Sequence, residues 1–165
     1  MNRFLPLIIL LLAPRPAGRE LWRELSVALG FVGLSLMGLQ YVPTTRLAFL
    51  ANLFPMDVLY EYHHKTSNLS FLLILIHPLL LFANNPYTLR LLNFATAPWR
   101  ARSGTAALIL LIVVVATSIW RERFKLEYER WHLIHDTGVL LIAILALYHI
   151  FKVDYYTSVP LQRGL

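Results

Sequence analysis

Tyr60-Glu-Tyr-His-His-Lys-Thr-Ser-Asn-Leu-Ser-Phe-Leu-Leu-Ile-Leu-Ile-His-Pro-Leu-Leu-Leu-Phe-Ala83 sets the reading of the whole chain. Its apolar run has the length that a helix needs to cross about 30 Å of hydrocarbon, and it carries His63, His64, His77 and Pro78 inside that run. Ionisable side chains are expensive there, so three histidines in one span need a cause.

Outward from this stretch the pattern repeats. Apolar runs cover residues 4–13, 25–42, 60–83, 104–120 and 131–151, separated by polar connectors. The whole chain is 58% hydrophobic and 15% charged, with a mean hydropathy of +0.59, too apolar for a soluble domain of 165 residues. The fold class expected is all-α, a single integral membrane bundle over residues 1–165 with four full spans plus a short N-terminal apolar helix. Run 4–13 is short for a crossing; with Arg3 in front it also reads as a half-span or the apolar part of a signal peptide. In run 25–42, Gly30, Gly33, Ser35 and Gly38 lie on one side, as a close helix contact requires. Residues 84–103 read as an interfacial loop and 121–130 as a charged hinge.

The chain has no Cys, which excludes disulfides, thiolate metal sites, iron–sulfur clusters and Cys-anchored haem. The net charge of +6 comes from Lys and Arg between the apolar runs, where they face lipid headgroups; no nucleic-acid partner is expected. An inside N-terminus with five crossings would put seven of the 15 Lys and Arg residues inside, so charge does not orient the chain.

All six histidines fall in runs 60–83 and 131–151. His63 to His77 and His135 to His149 are both 14 residues apart, and at about 100° and 1.5 Å per residue each pair returns to within roughly 40° of one face with a rise of about 21 Å. That rise is too large for one metal with bonds of about 2 Å, so each histidine needs a partner from the other helix. The two runs point the same way, because one span separates them. His63 then stands level with His135, and His77 with His149. Each couple can fill both axial positions of a haem iron, which suits electron transfer and leaves no position for oxygen. His64 and His132 fit one face less well; they read as interfacial residues for a haem propionate or as solvated side chains, with an exchange of His64 for His63 left open. Pro78 is expected to bend the helix and aim His77. Lys65, Arg121 and Arg130 are candidate propionate partners, and Asp136 could orient a ligand or cap the helix.

Gly38-Leu-Gln-Tyr-Val-Pro-Thr-Thr-Arg46, Asp57-Val-Leu-Tyr-Glu-Tyr-His-His-Lys-Thr-Ser67, Leu75-Ile-His-Pro-Leu-Leu-Leu81 and Tyr128-Glu-Arg-Trp-His-Leu-Ile-His135 together resemble the ferric reductase-like transmembrane domain. That is the membrane cytochrome b shared by NADPH oxidases and ferric-chelate reductases, and the likeness is to its bacterial branch. It covers roughly residues 20 to 155. It implies two haem b groups on His63, His77, His135 and His149, the first of each pair nearer the cytoplasm, in a bacterial plasma membrane. Electrons in that family run from NAD(P)H through flavin to the haems and on to ferric iron or oxygen. The family usually has six spans and its oxidases a flavin and nicotinamide region; here five apolar runs and no Gly-rich dinucleotide fingerprint are present, so either a separate partner, a flavoprotein or other donor, supplies the electrons or the chain is a truncated or repurposed relative. No catalytic residue is assigned. Two other classes compete: an accessory subunit of a larger membrane complex, with or without haem, and a His-lined proton or metal transporter.

Overall fold

A computed structural model of the chain describes residues 20–41 and 53–153. Apolar run 4–13 lies outside them. The described residues form four long helices and contain no strand: α1 Leu21–Leu39, α2 Met56–Asn84, α3 Trp99–Ile119 and α4 Tyr128–Val153, with a 3-10 helix at Pro86–Leu92. All four long helices have the length and composition to cross a membrane. Contacts group the residues into two compact units, dividing between Pro86 and Tyr87, the first built on α1 and α2 and the second on α3 and α4.

The helices begin earlier than the apolar runs. Arg23 and Glu24 are already in α1, Glu61 and Lys65 in α2, and Arg100 and Arg102 in α3. Hydropathy marks the stretch that lies in hydrocarbon, whereas the backbone hydrogen bonds continue into the headgroup layer, where charged side chains are welcome. Pro55 and Pro98 set the starts of α2 and α3, since a proline fits just before or at the first turn, where no intrahelical donor is missed. The segment 84–103 is therefore only partly a loop. α2 continues through Pro78 to Asn84. Between α3 and α4, Lys125 takes a left-handed conformation (φ 51°), and Leu126 N–H donates to Arg121 O at 3.1 Å, a helix stop of the Schellman kind.

In the first unit the seam follows a four-three spacing. Ser26, Gly33 and Met37 of α1 and Gln40 at its C-cap are buried, with Gly30 half-buried between them. On α2 the matching line is Ser67, Ser70, Ile74 and His77: Ser67 hydrogen-bonds Gln40, Ser70 Oγ donates to Gly33 O at 2.6 Å, and the His77 ring meets Ser26. Such spacing keeps one stripe on a partner helix at 3.5 residues per turn. The contact is close because the stripe is small. A Cβ on Gly33 would stand 2.8 Å from Ile74 Cγ1 and 3.1 Å from both Ile74 N and Ser70 O. Gly38, by contrast, faces open space, and Ser35 is exposed, so only part of the expected small-residue face makes the contact.

The second unit repeats the arrangement with other residues. Ala107, Leu111 and Val114 of α3 are buried, as are Gly138 and Ile142 of α4, and a Cβ on Gly138 would lie 2.5 Å from Val114 Cγ2. Much of what remains outward is large and apolar: Leu133, Ile119, Leu140 and Phe151 are all exposed. In water that surface would be an aggregation hazard; in acyl chains it is the expected coat. Trp99 and Tyr87, 70% and 74% exposed, carry Arg102 and Arg90 over their rings, as an aromatic belt at the interface would.

Gly33→Ala is expected to lower the stability of the detergent-solubilised chain by about 1–3 kcal/mol, the usual cost of overpacking against a neighbour that cannot yield. Gly38→Ala, with nothing to meet, is expected to be neutral or slightly stabilising. Thermal melting of the two variants beside the wild type checks this.

Candidate functional site

The four histidines singled out by their spacing are all half-buried, while His64 and His132 are exposed. His63 extends the α2 seam line by one further step of four, through Ser67, Ser70 and Ile74 to His77. Its Nδ1 is screened from solvent. His64 projects from the outer side, with Asn68 Nδ2 3.4 Å from its Nε2.

In the first unit, His77 Nδ1 lies 2.9 Å from Ser26 O and 3.0 Å from Ser26 Oγ, and Ser26 Oγ–H in turn donates to His77 O at 2.6 Å. Ser26 is fully buried at this contact. A carbonyl oxygen can only accept, so Nδ1 carries the proton and the neutral ring keeps its lone pair on Nε2.

In the second unit, His149 Nδ1 lies 2.6 Å from Arg100 O, and the same reasoning puts the proton on Nδ1. His135 Nδ1 lies 3.2 Å from Ser118 Oγ, whose own hydrogen goes to Val114 O at 2.8 Å. With that hydrogen committed, the serine oxygen accepts from His135. Trp131 Nε1–H also reaches Ser118 Oγ at 3.4 Å, its ring centroid 5.3 Å from that of His135, and the Arg121 guanidinium lies 5.7 Å from the Trp131 ring. Three of the four histidines thus have Nδ1–H anchored on the neighbouring helix of their own unit. This is the arrangement that fixes the tautomer and raises the basicity of a metal-bound imidazole.

The charged candidates are otherwise engaged. Lys65 pairs with Glu61 at 2.6 Å along α2 and Arg130 with Glu127, just before α4, at 3.3 Å, both exposed pairs, which hold little energy. Asp136 reaches His132 (Nδ1 to Oδ2, 3.3 Å). Among the described residues there is no group of three or more His, Asp or Glu side chains that could hold a bare metal ion. The residues that sequence reasoning missed are Ser26 and Ser118 and the carbonyls of Ser26 and Arg100. A serine in an apolar helix is ordinary composition, and a carbonyl leaves no trace in a side-chain pattern.

An all-helical membrane protein with histidines anchored in its seams belongs among the integral membrane proteins by its four apolar spans. More narrowly, residues 29–146 match the model of the ferric reductase like transmembrane component, and the chain belongs to that family, a family of membrane electron transfer whose members generally bind haem. No curated protein and no solved structure matches it.

Ser118→Ala removes the acceptor shared by His135 and Trp131 and is expected to cost about 1 kcal/mol, whereas Ser118→Thr keeps the oxygen and most of the stability. Melting temperatures together with the Trp emission of single-tryptophan Trp131 variants check it; equal behaviour of the two substitutions would count against the shared hydroxyl.

Proposed function

We propose that this chain carries electrons across the bilayer by holding two haem b groups, one between His63 and His135 and one between His77 and His149. What supports the reading is the geometry at Nδ1: His77, His135 and His149 each direct that proton into their own helix pair, which puts the ring lone pair on Nε2, the tautomer that a metal-bound imidazole takes. The equal 14-residue spacing supports the pairing, and the family match supports electron transfer as the purpose.

The donor set fits the group: neutral imidazoles carried on apolar helices, and no thiolate. A bis-imidazole haem supplies one-electron redox chemistry with little rearrangement on reduction. The chain's own contribution is to hold the rings rigid in a low-polarity setting. His64 and His132 stay at the exposed helix faces beside Asn68 and Asp136, from which a propionate could draw them. Lys65 and Arg130 can exchange their weak carboxylate pairs for a propionate at little cost. A flavoprotein is the donor that we propose, and a bacterial plasma membrane the location, both resting on the sequence resemblance.

The test is haem stoichiometry by pyridine haemochrome. Two haems per chain are expected in the wild type, one in His77→Ala, one in His135→Ala, and two in His64→Ala and His132→Ala. A haem-free wild type, or unchanged content in both ligand variants, would overturn the reading and leave a membrane scaffold in its place.

A further inference from the structure

Two of the histidine contacts share a detail that the ligand reading does not require. His77 donates to the carbonyl of Ser26, and the residue four positions on in α1 is Gly30; His149 donates to the carbonyl of Arg100, and the residue four positions on in α3 is Gly104. The sequences between differ completely, Val-Ala-Leu in one and Ala-Arg-Ser in the other.

Helix geometry gives the spacing a meaning. Each Cα–Cβ bond tilts toward the helix N-terminus, so the side chain at i+4 covers the turn below it, including the carbonyl of residue i. That carbonyl already accepts the i+4 N–H with one lone pair and keeps a second. A side chain at i+4 closes the approach to it; a glycine leaves it open. At Gly30 a Cβ would stand 3.1 Å from His77 Cγ and 3.3 Å from its Nδ1. At Gly104 it would stand 2.8 Å from His149 Nδ1 and 3.0 Å from Cε1. In both cases the added atom would meet the seated ring, at its Nδ1 edge in His149 and at Cγ in His77. The other buried seam glycines do a different job: Gly33 faces Ile74 and the α2 backbone, and Gly138 faces a methyl of Val114.

We propose that Gly30 and Gly104 are positioning residues, each opening a carbonyl seat in which an imidazole lies against the adjacent helix with Nδ1–H donated to Ser26 O or Arg100 O. The seat fixes the ring plane and tautomer, and so the direction of Nε2. Its role toward haem rests on the ligand reading above; the seat itself does not. A ring that donates strongly through Nδ1 is a more basic ligand, so the seats also set the redox potential of whatever iron His77 and His149 bind.

The experiment uses the full chain in lipid nanodiscs, with Gly30→Ala and Gly104→Ala compared with the wild type. Gly38→Ala, whose added methyl meets nothing, serves as the control. The readouts are the low-spin electron paramagnetic resonance g-values, which follow the ligand ring planes, and the midpoint potentials. Each seat variant is expected to shift one signal and raise one potential, or to lose one haem, with Gly38→Ala unchanged. Two haems with unaltered g-values and potentials in both seat variants would overturn the seats while leaving the ligand reading intact. So would the same shift in Gly38→Ala. Should the seat variants not accumulate, or the wild type carry no haem, the wild type decides through the 15N shifts and hydrogen exchange of its histidines. Slowly exchanging Nδ1–H on His77 and His149 supports the seats, and fast exchange or an Nε2–H tautomer overturns them. A haem-free wild type with protected Nδ1–H would sink the ligand reading alone.

Discussion

An imidazole has two nitrogens, and in this protein one of them belongs to the fold. His77 and His149 donate Nδ1–H to carbonyls of α1 and α3, and His135 donates to a serine of α3 whose hydrogen is already committed. In hydrocarbon there is no water to take over such a bond, so an unanchored Nδ1–H would be costly and the anchored form dominates. The consequence reaches the chemistry directly. A neutral ring with its proton on Nδ1 presents a lone pair at Nε2, the state that a metal requires.

The anchor depends in turn on close helix approach, which the seams provide through small residues: Ser26, Gly30, Gly33 and Ser70 in the first unit, and Gly104, Ala107 and Gly138 in the second. Between apolar helices in lipid there is no hydrophobic gain on association, so packing and hydrogen bonds must hold each pair. The four-three spacing of these residues also gives the 14-residue interval its physical sense. Two heptads return a side chain to the same seam at 3.5 residues per turn, so His63 and His77 fall on one line with Ser67, Ser70 and Ile74, and His135 and His149 on one line with Gly138 and Ile142.

Much of this was legible in the residues. Four spans follow from apolar run length. Angular spacing sets His64 and His132 apart from the other four histidines, with an exchange of His64 for His63 left open, and it is these two that the structure exposes. The helix starts were not, because hydropathy reports the hydrocarbon depth and α1, α2 and α3 all begin among charged residues. Gly30 could not be told from Gly38 by composition; only the position of α2 separates a glycine beneath an imidazole from one facing open space. Asp136 follows His135 in sequence, and its side chain makes the polar contact with His132 one turn back along the helix, one of the roles that the sequence leaves open. The carbonyl partners were invisible for a simpler reason, since every residue has one.

The central claim is that these imidazoles ligate iron through Nε2 from two sides. Low-temperature electron paramagnetic resonance combined with near-infrared magnetic circular dichroism of the oxidised chain addresses it most directly, because the charge-transfer band of a low-spin ferric haem identifies its axial pair. The expected result is two low-spin species, both with the bis-imidazole band. A high-spin signal, a band belonging to a water or hydroxide ligand, or no haem iron in the wild type would contradict it.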